Sequence, residues 1–264
     1  MTGHEQGHEQ GHEHGHEHGH EHGHEHGHEH GHEHGHEHGH EHGHEHGHEH
    51  GHEHEHRGDD AAAMFEPTGW DERYSGEGSV WSGNPNPQLV AEASGLAPGT
   101  ALDVGCGEGG DVIWLAQQGW RTTGADFSAQ GLARAARHAE QAGVADLTDW
   151  WQVDARTFDP AGRTWDLVTT HFLHPPDGGM VAVVGLLAQA VAPGGHLLVV
   201  GHAPAATFDL SPAHHRAMFL AADLLPGLPS DFEALVVEQR PRTAVRDGVT
   251  VDIDDSTLLA RRRP

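Results

Sequence analysis

The stretch that most constrains the fold is Leu102-Asp103-Val104-Gly105-Cys106-Gly107-Glu108-Gly109-Gly110, an apolar run that ends in glycines and passes into a helical pattern. A strand, a tight turn and a helix in that order bring the chain back across a sheet, so the next strand runs parallel to the first. The pattern repeats. Thr100–Val104, Arg121–Ala125, Trp150–Val153, Trp165–Thr170 and His196–Val200 read as strands. Asp111–Gln118, with Val112, Leu115 and Ala116 on one side, Ala129–Ala142 and Val181–Val191 read as the helices between them. Asn86 as N-cap and Pro87 at the first helical position start an earlier helix over Gln88–Ser94. Pro193-Gly194-Gly195 reads as the turn into the fifth strand, and Ser211-Pro212 as the start of a helix through Leu225. Phe232–Thr243 and Val249–Arg261 read as a hairpin around Asp247-Gly248. The expected architecture is α/β: a doubly wound, mostly parallel sheet with helices on both faces and one antiparallel strand from the hairpin. Ligands of such sheets sit beyond the carboxyl ends of the strands, where the strand order reverses. The chemistry is therefore expected in the loops that follow each strand.

None of this applies to the first 56 residues. Two copies of Gly-His-Glu-Gln are followed by eleven of Gly-His-Glu-His from Gly11 to His54, and Glu55-His56 close the tract. A glycine at every fourth position opposes helix, and no apolar face offsets the entropy of ordering, so a disordered arm is expected. The division is then 1–56 as tail, 57–63 as linker and 64–264 as the folded domain. The tail holds 25 of the 32 histidines and 14 of the 41 acidic residues, which leaves 208 residues with a net charge of −13. That acidic balance argues against a partner bound through its phosphates, so no nucleic acid is expected. A single cysteine, Cys106, excludes an intramolecular disulfide. No signal peptide or membrane span is read in the chain, and a cytoplasmic protein is expected.

Glycines at 105, 107 and 109 let the backbone turn sharply and approach a ligand at a helix start. Asp103 would repel a pyrophosphate there but can attract an ammonium group, which points to a nucleoside ligand carrying a positive charge. Asp126, at the end of the second strand, stands where a carboxylate pairs with two ribose hydroxyls. Asp154, after the third, can accept from the amino group of adenine. Either of the last two could instead be a simple strand-end cap.

Taken together, Asp103–Gly109, Asp126, Asp154-Ala155 and the Pro193-Gly194-Gly195 turn resemble the class I S-adenosylmethionine-dependent methyltransferases. The resemblance implies a Rossmann-like seven-stranded sheet whose last two strands are the hairpin. It implies that Gly105, Cys106, Gly107 and Gly109 hold the methionine part of the cofactor alongside Asp103. Asp126 would then take the ribose, Asp154 and the Ala155 backbone the adenine, and Phe127 would pack on its ring. Cys106 would offer backbone contact and not a nucleophile. Trp70-Asp71-Glu72-Arg73-Tyr74, Trp81 and Asn84-Pro85 are similar to the N-terminal segment of small-molecule methyltransferases of the tellurite-resistance and thiopurine type. On that likeness the segment folds over the cofactor, with Arg73 or Tyr74 meeting its carboxylate and Trp81 walling the sulfonium. His171 and His174, in the loop after strand four, and His202, after strand five, fall where the family places its acceptor. They are the catalytic candidates, with His171 also near the cofactor.

The expected function is methyl transfer to a small-molecule acceptor, a thiol or metalloid anion in particular, because no strong base stands out. The alternative is a metal-buffering or storage protein working through the tail, with the domain sensing the cofactor. His12, His14, His16, His18, His20 and His22 represent a repeat whose neutral imidazoles can bind nickel, zinc, cobalt or copper. Those divalent ions are not expected to take part in catalysis.

Overall fold

The computed structural model describes residues 65–204, 212–246 and 249–264, so the histidine tract, the linker and the Asp247-Gly248 turn lie outside the described residues. Two helices come first, α1 (Pro67–Ser75) and α2 (Pro87–Ala93). The alternating part follows as β1 (Thr100–Val104), α3 (Gly110–Gln117), β2 (Arg121–Asp126), α4 (Ala129–Gln141), β3 (Thr148–Gln152) and β4 (Trp165–His171). It continues through α5 (Met180–Ala188), β5 (Val191–His202) and α6 (Pro212–Ala217) to the hairpin strands β6 (Phe232–Arg246) and β7 (Val249–Arg262). The seven strands form one sheet in the order β3-β2-β1-β4-β5-β7-β6. β1 to β5 pair in parallel, while β7 pairs antiparallel with both β5 and β6. The expected doubly wound, seven-stranded sheet with one antiparallel strand is the one observed, and its order reverses between β1 and β4.

Near-continuous apolar runs suit these central strands because both faces are covered. Leu102, Val104, Val168, Leu197 and Val199 pack with Val183, Val184 and Leu187 of α5 and with Leu224. Their neighbours in sequence, Ala101, Leu167, Leu198 and Val200, pack with Leu89 of α2 and with Leu115 and Trp120 in and beyond α3. Alternate residues thus supply opposite cores, as the period of two requires.

Four features differ from the sequence reading. β3 begins two residues earlier, at Thr148, and ends at Gln152. Pro193-Gly194-Gly195 is not a turn before β5 but lies within it: Trp165 pairs with Val191 and Leu167 next with His196, so the segment bulges from the ladder. Proline, lacking a donor, is tolerated at such a bulge. The preceding helix stops at Ala188 rather than Val191. The helix expected through Leu225 breaks into α6 and a separate 3₁₀ turn over Ala221–Gly227, and Ser211 lies outside the described residues. Phe219, between the two, is buried against Gly201, where any Cβ would collide with its ring.

The bulge makes Gly195 a sensitive position. A Cβ there would lie 2.9 Å from the Asp166 carbonyl oxygen, 3.0 Å from that of Ala192 and 3.1 Å from that of Trp165. All three are backbone atoms and cannot swing aside. Gly195→Ala is expected to lower the stability by about 1–3 kcal/mol, the usual cost of overpacking. The urea midpoint of the full chain would measure it, and an unchanged midpoint would mean that the bulge relaxes freely.

Candidate active site

The glycine loop leaves β1 with its first two amide groups already committed. Gly105 N–H and Cys106 N–H both donate to the Ala125 carbonyl of β2, at 2.7 and 3.1 Å. Gly105, Gly107 and Gly109 have φ of 82°, 52° and 84°, the left-handed region that side chains disfavour, which explains why glycine alternates through this turn. Gly107 N–H donates to Asp126 Oδ2 at 2.9 Å, and Ser128 N–H donates to Asp126 Oδ1, also at 2.9 Å. Asp126 therefore joins the end of β2 to the middle of the loop. Burial raises its carboxyl above the ordinary range, against the pull of these donors. Cys106 is buried too, and burial pushes its thiol up, which removes it as a nucleophile.

Beneath the loop lies an ionic cluster. His171, the last residue of β4, places Nδ1 2.8 Å from Asp111 Oδ2 and 3.6 Å from Asp103 Oδ1. Thr169 Oγ1 donates to Asp103 Oδ1 at 2.8 Å, and Asn86 N–H donates to Asp111 Oδ1 at 2.6 Å. Burial alone would strip the charge from His171. The nearby carboxylates outweigh it and lift the imidazole to a pKa of about 10. Burial likewise opposes ionisation of both acids, but Asp111 is closer to the imidazolium and ends below its ordinary value, while Asp103 is raised. At neutral pH His171 is thus a cation locked between acids and cannot accept a proton.

The N-terminal segment closes over this loop. Glu108, within the loop, is buried and accepts from Val80 N–H at 2.9 Å and Trp81 N–H at 3.0 Å. Arg134 of α4 pairs with Glu108 at 2.7 Å and also donates to the carbonyls of Gly76 and Gly78. Trp81 Nε1–H donates to the Tyr74 hydroxyl at 3.0 Å, and Trp70 stacks on Tyr74 with ring centroids 5.6 Å apart. A Cβ on Gly107 would lie 2.8 Å from the Tyr74 oxygen and 3.3 Å from Trp81 Nε1, so only glycine leaves room for these two side chains. Tyr74 is buried and its phenol is raised by that burial, whereas Trp81 is 51 % exposed. Arg73 lies over the Trp70 ring instead, 5.1 Å from its centroid.

The other candidate residues divide. Asp154 caps the turn after β3, accepting from Arg156 N–H at 2.8 Å, and its oxygens are gripped by the Arg156 guanidinium at 2.7–3.0 Å. Its carboxyl falls below the usual range because of Arg156. The strand-end cap, one of the two alternatives for this residue, describes it. Ala155 is buried at the start of that turn, and the carbonyl of Phe127 accepts from Gln152 Nε2. His174 and His202 come together beyond β4 and β5, stacked with centroids 5.4 Å apart, and His202 N–H donates to His174 Nε2 at 3.3 Å. The tail histidines lie outside the described residues. Asp111, Glu108, Asp255 and Arg242 were not singled out from the sequence. For Asp111 and Glu108 a signal existed, since one follows the glycine loop and the other lies within it; the other two are joined to the site only by the fold. Hollows of about 310 and 370 Å³ open at the opposite, amino-terminal ends of the strands, near Thr100 and Arg121 in one case and Gly194 and His196 in the other. They lack the acid and glycine constellation, and the chemistry is assigned to the glycine-loop end.

Residues 101–195, which run from β1 to the β5 bulge, match the family profile described as a methyltransferase domain. Residues 101–195 thus carry a methyltransferase domain. The methyltransferase domain is similar to the ubiquinone biosynthesis O-methyltransferase of Cronobacter sakazakii, 37 % identical over 111 residues, or 41 % of this chain and 44 % of the relative. It is also similar to the phosphatidylethanolamine N-methyltransferase of Cereibacter sphaeroides, 34 % identical over 104 residues, or 39 % of this chain and 51 % of the relative. The chain thus spans about half the length of these curated relatives. Among solved structures, a protein that converts a disulfide bond into a thioacetal group in echinomycin biosynthesis superposes with a TM-score of 0.60 at 23 % identity, over 75 % of this chain and 93 % of that one. At that identity the likeness is one of fold. No helix among the described residues is long and apolar enough to cross a membrane.

The cluster predicts a pH dependence. The His171 pKa rises from 6.5 in the unfolded chain to about 10 in the fold, so its stabilisation is complete below pH 6.5, declines as pH rises and is gone above about pH 10. Thermal unfolding across pH 6–10.5 should show the wild type losing stability more steeply than His171→Gln. Parallel curves would mean that the imidazole is neutral in the fold.

Proposed function

We propose that this chain transfers the methyl group of S-adenosylmethionine to a small-molecule acceptor at the carboxyl ends of β4 and β5. The observation that carries the reading is the Asp126 carboxylate, fixed by Gly107 N–H and Ser128 N–H at the lip of the glycine loop. A ribose diol offers two donors to such a carboxylate, and the glycine backbone leaves space for the adjoining chain. The acid–histidine cluster suits an amino-acid tail as well, because Asp103 and Asp111 outnumber the one cation between them. When bound, S-adenosylmethionine supplies a methyl group already activated by a sulfonium charge. The protein's task is then mainly alignment, and near-attack positioning carries much of the acceleration. Asp103 and the glycine loop would hold the donor end, while Tyr74 and Trp81 cover it and exclude water.

Two acceptor classes follow from the chemistry. A thiolate or a metalloid anion needs no base; a hydroxyl or an amine does. His202 Nδ1 lies 3.9 Å from the buried Asp255 Oδ1, so a histidine with an acid behind it stands at the acceptor end. That pair, with relatives named as O- and N-methyltransferases, supports an oxygen or nitrogen acceptor over the soft anion. Calorimetry of the full chain with S-adenosylmethionine tests the reading. Binding is expected, and Asp126→Ala should weaken it at least about tenfold, the loss of a charged hydrogen-bonding group. No binding by the wild type would dismiss the proposal.

The repeat supports a second, separate activity: capture of divalent metal ions by the tail. His-x-His spacing at this density offers interchangeable ligand sets, and binding requires neutral imidazole. Metal affinity should therefore fall steeply as pH drops from 7.5 to 5.5, through the ordinary histidine range. Nickel titration of the full chain against a chain starting at Ala61 measures it. Equal stoichiometry in the two would assign the metal to the domain instead.

A further inference from the structure

One group of side chains near the post-β4 loop has no part in holding the donor. Phe172, directly after His171, takes φ of 54°, a left-handed conformation unusual for a bulky residue. That conformation sets its ring against His202, centroids 4.5 Å apart, and His202 stacks in turn on His174. The next residue, Leu173, reaches the glycine loop, where its Cδ1 lies 3.3 Å from the position of a Cβ on Gly105. The aromatic group is therefore beside the donor loop and not remote from it.

From the other side comes Arg242 of the long hairpin. β6 and β7 run past the end of β5, which stops at His202 opposite Asp255. Arg242 Nε donates to Asp255 Oδ2 at 2.7 Å, and Asp255 is fully buried. The same guanidinium lies over the Phe172 ring, 5.3 Å from its centroid. An arginine can grip a carboxylate bidentately through two parallel N–H bonds. Here only Nε is engaged, and among the described residues neither Nη group has a hydrogen-bond partner. Arg240 of the same strand separately ties β6 to α2 through Glu92 at 2.6 Å and Gln88 at 3.1 Å.

We propose that Arg242, oriented by Asp255 and seated on Phe172, selects the methyl acceptor, and that the acceptor is a planar aromatic anion, a carboxylate or an acidic phenol. Its ring packs among Phe172, His174 and His202, and its charged group meets the Nη donors. A guanidinium stacked on an aromatic ring and held at Nε presents its donors in a fixed plane, which suits a planar oxyanion and not a rounded ammonium. The inference rests on the methyl-transfer reading and names the acceptor class for the same site.

The test is binding of benzoate and of uncharged benzyl alcohol to the full chain, by calorimetry in the presence of S-adenosylhomocysteine and a chelator. The wild type is expected to prefer benzoate by at least tenfold. Arg242→Gln should erase the preference and leave benzyl alcohol unchanged, whereas Arg242→Lys should retain part of it. Because Arg242→Gln leaves Asp255 buried without its partner, the double variant Arg242→Gln/Asp255→Asn removes both charges together and should behave alike. A wild type that does not distinguish the two probes, or variants that keep the preference, would overturn the proposal. Failure of S-adenosylhomocysteine to bind would instead count against the methyl-transfer reading, so the two failures are separable.

Discussion

The buried ion cluster of His171 with Asp111 and Asp103 is the contact on which the functional end of the sheet depends. Its three members come from the end of β4, the first turn of α3 and the end of β1, so one imidazolium fastens both sides of the strand-order reversal. A second bond carries the coupling outward: Asp111 also accepts from Asn86 N–H, whose side chain caps α2 by accepting from Gln88 N–H. α2 then holds Arg240 of the hairpin, and the hairpin returns Arg242 to Phe172, one residue beyond His171. The chain of contacts closes on itself. An isolated charge at this depth would be costly, and pairing is what makes it tolerable.

On the far side of the glycine loop a different charge performs a comparable task. Glu108 is held by Arg134 and by the backbone of Val80 and Trp81, which draws the segment from Trp70 to Trp81 over the loop. The acids around the loop therefore have separate duties. Asp103 and Asp111 set the charge beneath it, Asp126 fixes its lip, and Glu108 anchors its cover. Asp126 ties the end of β2 to the middle of the glycine loop, which is why the proposed function rests on it.

Much of the fold was legible in sequence, because glycine, proline and the N-cap at Asn86 mark strand and helix ends by local geometry. The bulge at Pro193-Gly194-Gly195 was misread as a turn for the same local reason: those residues serve equally in a turn and in a bulge, and only pairing with β4 decides. Asp154 illustrates the limit at the site. Its spacing after β3 fits a ligand contact, yet Arg156, two residues on, claims its carboxylate. Positions 103, 126 and 171 stand out in the sequence because each lies at or next to a strand end. Arg242 and Asp255 do not. They reach the site through an antiparallel register thirteen residues apart in sequence, and nothing in the local pattern of either strand points there.

The most direct measurement is the crystal structure of the chain with S-adenosylhomocysteine bound. The ribose hydroxyls should lie on the Asp126 carboxylate, the homocysteine part along Gly105–Gly109, and the sulfur should face the post-β4 loop at Phe172. Density for the nucleoside at the amino-terminal ends of the strands, or anywhere away from Asp126, would contradict the account.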